Sequence, residues 1–283
     1  MTKALRERIY HFFYHIIIIA FAVIMVYPLI WMVFSSFKPT STVFSTASTL
    51  LPEVYTVDNY VNGLKGFGNI TFPHFFKNTI VICVIATIGC VVSCTFVAYS
   101  FSRLEYKAKQ WLFALVLLTM MLPAEILMIP QYLWYNKLSW INTYLPLTVP
   151  FFLATTGFYI YQLKTFMDNI PHELDDAARI DGCSYYTIFF RVTLPLIKPA
   201  VATVTIFSFL YHWNNYMGAL LYLRRTEKYT ISLALKLFSD PTSQSDYGAM
   251  FAMSTLSLIP IFIIFITMQR YLTEGIATSG LKG

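Results

Sequence analysis

Apolar runs of about twenty residues recur along this chain, and the short stretches between them carry most of its charge. A helix of about 20 apolar residues is what crosses the roughly 30 Å hydrocarbon core of a bilayer. The pattern predicts six such spans, at about 12–34, 79–101, 111–129, 140–163, 199–223 and 247–269. Prolines interrupt several of them: Pro28 in the first, Pro123 and Pro130 flanking Glu125 in the third, Pro146 and Pro150 in the fourth, Pro260 in the sixth. Proline is tolerable in lipid where neighbouring helices satisfy the carbonyls it frees. One stretch stands out against this background. Residues 171–199, PHELDDAARIDGCSYYTIFFRVTLPLIKP, bring Glu173, Asp175, Asp176 and Asp181 close together in a chain with only 14 acidic residues. A plain connector needs only a few residues.

Composition fixes the class. The 283 residues are 57% hydrophobic, 18% aromatic and 12% charged, against about 25% charged in soluble domains. The expected fold is therefore all-α and integral to the membrane, as a single transmembrane domain over 1–283. The net charge of +6 reads as flanking charge and not as a nucleic-acid surface, since no basic cluster interleaved with stacking aromatics stands apart from the apolar runs. The basic start and long first run, without a small-residue cleavage site, predict a retained helix. Lys and Arg set the orientation. Lys3, Arg6, Arg8, Arg103, Lys107, Lys109, Lys164, Arg179, Arg191, Lys198, Arg270 and Lys282 fall on one side and outnumber those on the other. Both termini and the 171–199 segment are then expected in the cytoplasm.

Much chemistry is missing from the sequence. There is no G-x-x-x-x-G-K-[ST] phosphate loop, no H-E-x-x-H and no Cys-x-x-Cys pair. Cys83, Cys90 and Cys94 share one helical face inside an apolar run and read as buried small thiols. His11 and His15, at i, i+4, lie at the edge of the first span, where an interfacial role outweighs metal ligation. An enzyme or proton-coupled carrier working within the membrane should show several ionisable groups in its spans; only Glu125 and His212 qualify. No catalytic or metal-binding residues are assigned, and the energy input is expected from another polypeptide.

The 171–199 segment reads as a hairpin. Pro171 suits a helix start, and Glu173, Asp175 and Asp176 crowd the positive end of its dipole. Ala177 and Ala178 leave a small-residue surface, and Gly182 stands where a left-handed cap would end the helix. Ser184 can cap a second helix, about 185–191, which Leu194-Pro195 is expected to end. On these grounds alone, a solvated connector and a docking element stay equally open.

Asp176-Ala-Ala, three residues, Gly182, nine residues, Val192-x-Leu194-Pro195 resembles the EAA loop of ABC-importer permeases, E-A-A-x3-G-x9-I-x-L-P, with Asp for Glu and Val for Ile. The string ELDDAARIDG is similar to the carbohydrate-uptake, MalG-like permeases in particular, as are Asn78-Thr79, Trp213-Asn214 and the ending QRYLTEGIATSGLKG. The resemblance covers nearly the whole chain, most strongly 72–272. It implies the type I importer fold with six helices and a coupling helix that sits in a groove of a separate ATPase. It further implies a homologous second, MalF-like permease, a pair of ABC ATPase subunits that bind ATP and Mg, an extracytoplasmic solute-binding protein and a bacterial inner-membrane location. Glu173, Asp176, Ala177, Ala178, Arg179, Asp181, Gly182, Leu194 and Pro195 would form the ATPase-coupling surface. No cofactor is implied for this chain itself.

The expected cargo is a carbohydrate, an oligosaccharide above all. The alternatives are another solute, such as a glycerophosphodiester, or a secondary carrier with no ATPase. Aromatic faces and amides hold sugars, so Trp213, Asn214, Asn215 and Tyr216 are candidate pathway residues. The competing reading has Asn214 satisfying a neighbouring helix and Trp213 at the interface. Glu125 is equally an outer-gate contact or a solute ligand. Gly89, with Cys90 and Ser93, marks a close helix crossing.

Overall fold

The computed structural model describes residues 3–239 and 245–280. Lys282, the end of the terminal motif and the side chains of Lys3, Arg6 and Arg8 lie outside the described residues. The described chain is helical, with no strand beyond one isolated bridge between Phe67 and Ile70. In order, the helices are α1 (Lys3–Ser35), α2 (Asp58–Lys65), α3 (Phe72–Arg103), α4 (Lys109–Met121), α5 (Ala124–Lys137), α6 (Leu145–Thr148) and α7 (Gly157–Asp168). There follow α8 (Glu173–Ile180), α9 (Tyr185–Ile188), α10 (Leu194–Leu196), α11 (Lys198–Trp213), α12 (Tyr216–Tyr222), α13 (Ile231–Leu237) and α14 (Tyr247–Gly280).

Among the described residues, three stretches are long and apolar enough to cross a membrane as single helices: Tyr10–Ser35, Phe72–Arg103 and Tyr247–Tyr271. Two further helix pairs pass the same length and composition test together but are sharply bent. α4 and α5 meet at 101°, and Tyr185–Leu196 meets α11 at 77°. The first bend has a local cause. Leu122 precedes Pro123 and is extended, with ψ 122°, as the proline ring requires of its neighbour.

The fourth expected span is not one helix. Residues 140–163 break into α6, a 3₁₀ turn (Val149–Leu153), a left-handed Ala154 (φ 51°) and the start of α7. Pro146 and Pro150 enter at the first turns of the short pieces, where a missing N–H costs nothing. α3 repairs the broken backbone: Ser93 Oγ donates to the Phe151 carbonyl (2.9 Å) and accepts from the Ala154 N–H (3.1 Å). The approach is close, because a Cβ on Gly89 would meet the Phe152 ring at 2.4 Å. The fifth expected span breaks at Asn214-Asn215 into α11 and α12, and the sixth continues to Gly280 as α14.

The chain divides into two compact units. One comprises 1–72 and 235–258. In it the most apolar 18-residue window of Tyr10–Ser35 has no buried residue, and the segment after α1 folds around polar anchors. Asn59 Nδ2 donates to the Ser36 (2.8 Å) and Lys38 (2.7 Å) carbonyls, and buried Lys38 Nζ to those of Thr46 (2.8 Å) and Thr49 (2.6 Å). The other unit comprises 73–234 and 259–283. Its core is built from the inner faces of α3, α7 and α11, with Cys90, Cys94, Leu163, Met167 and Val204 among the buried side chains. The thiols of Cys83, Cys90 and Cys94 are free and buried. The charged segment 171–199 grows from this core.

Candidate functional site

Residues 171–199 fold as a helix, a reversal and a second helix. α8 starts directly after His172 and carries Glu173, Asp175 and Asp176 in its first turn. The end of α8 is a double-bonded glycine cap. Gly182 is left-handed (φ 78°); its N–H donates to the Arg179 carbonyl (2.9 Å) and that of Cys183 to the Ala178 carbonyl (3.0 Å). This closes the orphan carbonyls of the helix and turns the chain back on itself. Ser184 then caps α9, its Oγ accepting from the Thr187 N–H at 3.3 Å.

The second arm departs from expectation. Leu194-Pro195 does not end it; α9 runs on as a π turn (Phe189–Thr193) and α10, to Leu196. The π turn takes the Leu194 N–H to the Phe189 carbonyl, one register wider than an α-helix. That widening comes just ahead of Pro195, whose ring would otherwise press on the carbonyl four residues back. The turn to α11 falls instead at Ile197. Phe189 plugs this arm into the core, with its ring centroid 4.9 Å from those of Phe96 and Tyr99 on α3.

On α8, Glu173, Asp176, Ala177 and Arg179 are exposed and Ala178 is half-buried. Asp181 and Gly182 are exposed beyond it, Pro195 is exposed and Leu194 is half-buried. Asp176 Oδ1 lies 3.7 Å from Arg179 Nη1 one turn on, and the Arg179 guanidinium lies 5.1 Å from the Tyr185 ring centroid. A groove lies between the arms, lined by Arg179, Gly182, Ser184, Tyr185 and Tyr186. Ile180 stands out at 87% exposure and Tyr186 at 75%. An alanine-faced helix edged with charge and two protruding apolar side chains is suited to a protein groove more than to water.

The base of this hairpin was not legible in the sequence. Arg103, the last residue of α3, is buried and bonded to the far end of α7 and the start of the hairpin. Its Nη2 donates to the Met167 and Ile170 carbonyls (both 2.9 Å), and Nη1 to His172 Nδ1 (3.0 Å). Its Nε lies 3.4 Å from Asp175 Oδ2, with the two side chains 1% and 6% exposed. Asp175 is the buried residue of α8, its neighbour Asp176 the exposed one. Arg103 closes a charge-free apolar run, and that was the available signal; it reads equally as a flanking charge. Next to it, Ser102 Oγ (2.7 Å) and Lys164 Nζ (2.6 Å) both bond Asp168. Lys109, hydrogen-bonded to exposed Glu105, holds that carboxyl below its ordinary range.

The candidate pathway residues are dispersed in role. Trp213 is 3% exposed and stacks on Phe209 at 5.4 Å, with Phe76 edge-on at 6.3 Å. Asn214 is exposed and its amide donates to the Leu210 carbonyl (2.9 Å), while Asn215 caps α12 by accepting from the Gly218 N–H (2.9 Å). The two asparagines thus satisfy the backbone freed where the span breaks. Tyr216 packs half-buried against a cluster with Ile82, Leu147 and Tyr222. Glu125 is exposed in the first turn of α5, at the bend after Pro123. Asn78 and Thr79 tie α3 to the segment before α13. The Asn78 amide donates to the Glu227 (2.9 Å) and Tyr229 (3.0 Å) carbonyls, while Thr79 Oγ1 accepts from the Ile231 N–H (2.8 Å). Among the described residues, no three His, Cys, Asp or Glu side chains gather as a metal site.

Residues 95–278 match the family described as binding-protein-dependent transport system inner membrane component. The arabinooligosaccharides transport system permease protein AraQ of Halalkalibacterium halodurans is 32% identical over 93% of each chain. The trehalose/maltose transport system permease protein MalG of Thermococcus litoralis is 31% identical over 94% of each. Among solved structures, a chain of a bacterial ABC transporter involved in the import of the acidic polysaccharide alginate superposes with a TM-score of 0.81. It is 24% identical, covering 96% of this chain and 98% of that one. The shared fold is that of an ABC importer permease.

Proposed function

This chain belongs to the binding-protein-dependent transport inner membrane components, and we propose that it is the permease of an ATP-driven importer that carries oligosaccharides across a bacterial inner membrane. It is a multi-pass inner-membrane transport protein by family. The observation that carries the reading is the hairpin of 171–199. Its glycine-capped reversal presents exposed Ala177 and half-buried Ala178 near the tip, with an anchored base behind them. A partner backbone can approach alanine closely, and Asp176, Arg179 and Asp181 fix its orientation by charge.

In this reading the tip sits in a groove of an ABC ATPase subunit, which binds and hydrolyses ATP. A second, homologous permease completes the pathway, and an extracytoplasmic binding protein delivers the solute. The whole chain acts as one transmembrane domain, with both termini and the hairpin in the cytoplasm. Closure of the ATPase dimer moves the hairpin as a lever, and the helices exchange an inward-open for an outward-open arrangement. ATP can shift that equilibrium only because the tip has different contacts in the two states. The relatives named for arabinooligosaccharide and trehalose/maltose transport support a carbohydrate cargo. Asn214, Asn215 and Tyr216, at the break between α11 and α12, are the pathway residues of this proposal, with Trp213 supporting them from behind. A broken helix is where membrane transporters expose backbone and amides to solute. Glu125, at the other bend, is the second candidate contact.

The test is association with ATPase. The chain purified with its neighbouring subunits should bring an ATPase with it, and replacing Ala177 and Ala178 together by Glu should abolish that association. Retained association and uptake in the double variant would remove the coupling assignment.

A further inference from the structure

Docking alone does not move a membrane helix; the hairpin must be tied to one. We propose that Arg103 is the positioning residue that transmits displacement of the coupling helix to the membrane-spanning α3 and to the end of α7. This rests on the reading of the hairpin given above and adds the route by which it acts.

Little of α8 is held by the rest of the chain. Of its eight residues only Asp175 is buried, and its carboxylate is paired with Arg103, from outside the hairpin. The other seven are exposed or half-buried, open to a partner or to water. At its far end α8 meets the second arm of its own hairpin, through Arg179 and the Tyr185 ring, and a Cβ on Gly182 would meet nothing within 4 Å. The purchase of the rest of the chain on α8 is therefore concentrated at its base.

Arg103 has the right shape for that base. A guanidinium offers five N–H donors in a rigid planar fork, so groups that bond it are held at fixed angles to one another. Here the fork grips three consecutive pieces of chain: the end of α7 through the Met167 carbonyl, the linker through the Ile170 carbonyl and His172, and α8 through Asp175. The fork itself is the last residue of a helix of 32 residues that is long and apolar enough to cross a membrane. Its Nε and Asp175 Oδ1 make no hydrogen bond, so α8 is held to the fork by the charge pairing at 3.4 Å. A push on α8 reaches α3 through a bidentate-capable joint and not through a hydrophobic slip plane.

The test uses the full chain in complex with its ATPase subunits. Hydrogen–deuterium exchange is read before and after trapping with MgATP and vanadate. In the wild type, exchange in α8 should change together with that at 98–103 and 166–170, by at least about fivefold. Arg103→Lys keeps the charge but loses the fork, and Asp175→Asn keeps the shape but loses the charge. In both variants the α8 response should persist while the response at 98–103 and 166–170 falls away. A purely structural role would alter yield and leave the linked responses intact. Undiminished responses in both variants, or no response at 98–103 in the wild type, overturn the proposal. So does failure of both variants to assemble where the wild type does, since the clamp would then serve folding. If the wild type itself retains no ATPase, the proposed function fails first, and visibly so.

Discussion

Gly182 lends itself to the sharpest perturbation, because conformation and volume can be separated there. Its φ of 78° lies in the left-handed region, and a Cβ added to it meets no atom within 4 Å. Nothing in the chain resists a side chain at this position; only the backbone does. For an alanine the left-handed conformation costs about 1–2 kcal/mol, which lowers the population of the correctly turned hairpin by about 5- to 30-fold. A molecule with about 5–15 kcal/mol of stability survives that loss folded, so Gly182→Ala should be inserted normally yet bind its ATPase weakly. Asparagine tolerates the left-handed region several-fold better than most residues. Gly182→Asn should therefore bind better than Gly182→Ala although it is larger, and Gly182→Val should be worst, being β-branched. The assay is co-purification of the ATPase at graded ionic strength with the three variants side by side. A loss that follows volume, with Asn worse than Ala, would refute the reasoning and make the glycine a steric requirement of the partner's groove instead.

Two other expectations follow from the hydrogen bonds. Asn78→Ala strands the Tyr229 carbonyl and leaves that of Glu227 to His74 Nε2 alone, at about 1–3 kcal/mol. Asn78→Asp should be worse, since it sets an oxygen against two carbonyls; thermal unfolding in detergent checks the order, and an Asp variant as stable as wild type would sink it. Trp213→Ala opens a cavity beside Phe209 and Phe76, at about 3–5 kcal/mol, whereas Asn214→Ala forfeits one bond to the Leu210 carbonyl, about 0.5–1.5 kcal/mol. Uptake should thus drop in Asn214→Ala without a matching loss of stability. Uptake unchanged in a stable Asn214→Ala variant removes this residue from the solute pathway.

Several elements were legible because their causes are local. Apolar length marked α1, α3 and α14, since a run of about 20 residues is a property of neighbours in sequence. The cap at Gly182 and the N-cap at Ser184 were readable for the same reason: each is made within a few residues. The prolines announced trouble in the third and fourth spans, yet their outcome was not readable. Whether Pro146 and Pro150 kink a helix or dissolve it depends on Ser93, which reaches the freed backbone from another helix 58 residues away. At Pro195 the error ran the other way, because a π turn let the helix pass where a simple stop was expected.

What the sequence alone determined is the class, the spans whose apolar runs are unbroken and the existence of a charged, glycine-turned hairpin among them. Each follows from composition, periodicity or capping chemistry acting over a few residues. Only the tertiary structure decided which acid of the pair Asp175-Asp176 faces inward, and that Arg103 is the base of the hairpin and not a flanking charge. It also decided that Trp213 belongs to the packing and Asn214 to the surface. The buried ion pair of Arg103 with Asp175 and the contact of Trp213 with Phe76 are made by partners that folding brings together from distant parts of the chain, and no short-range pattern records such a meeting.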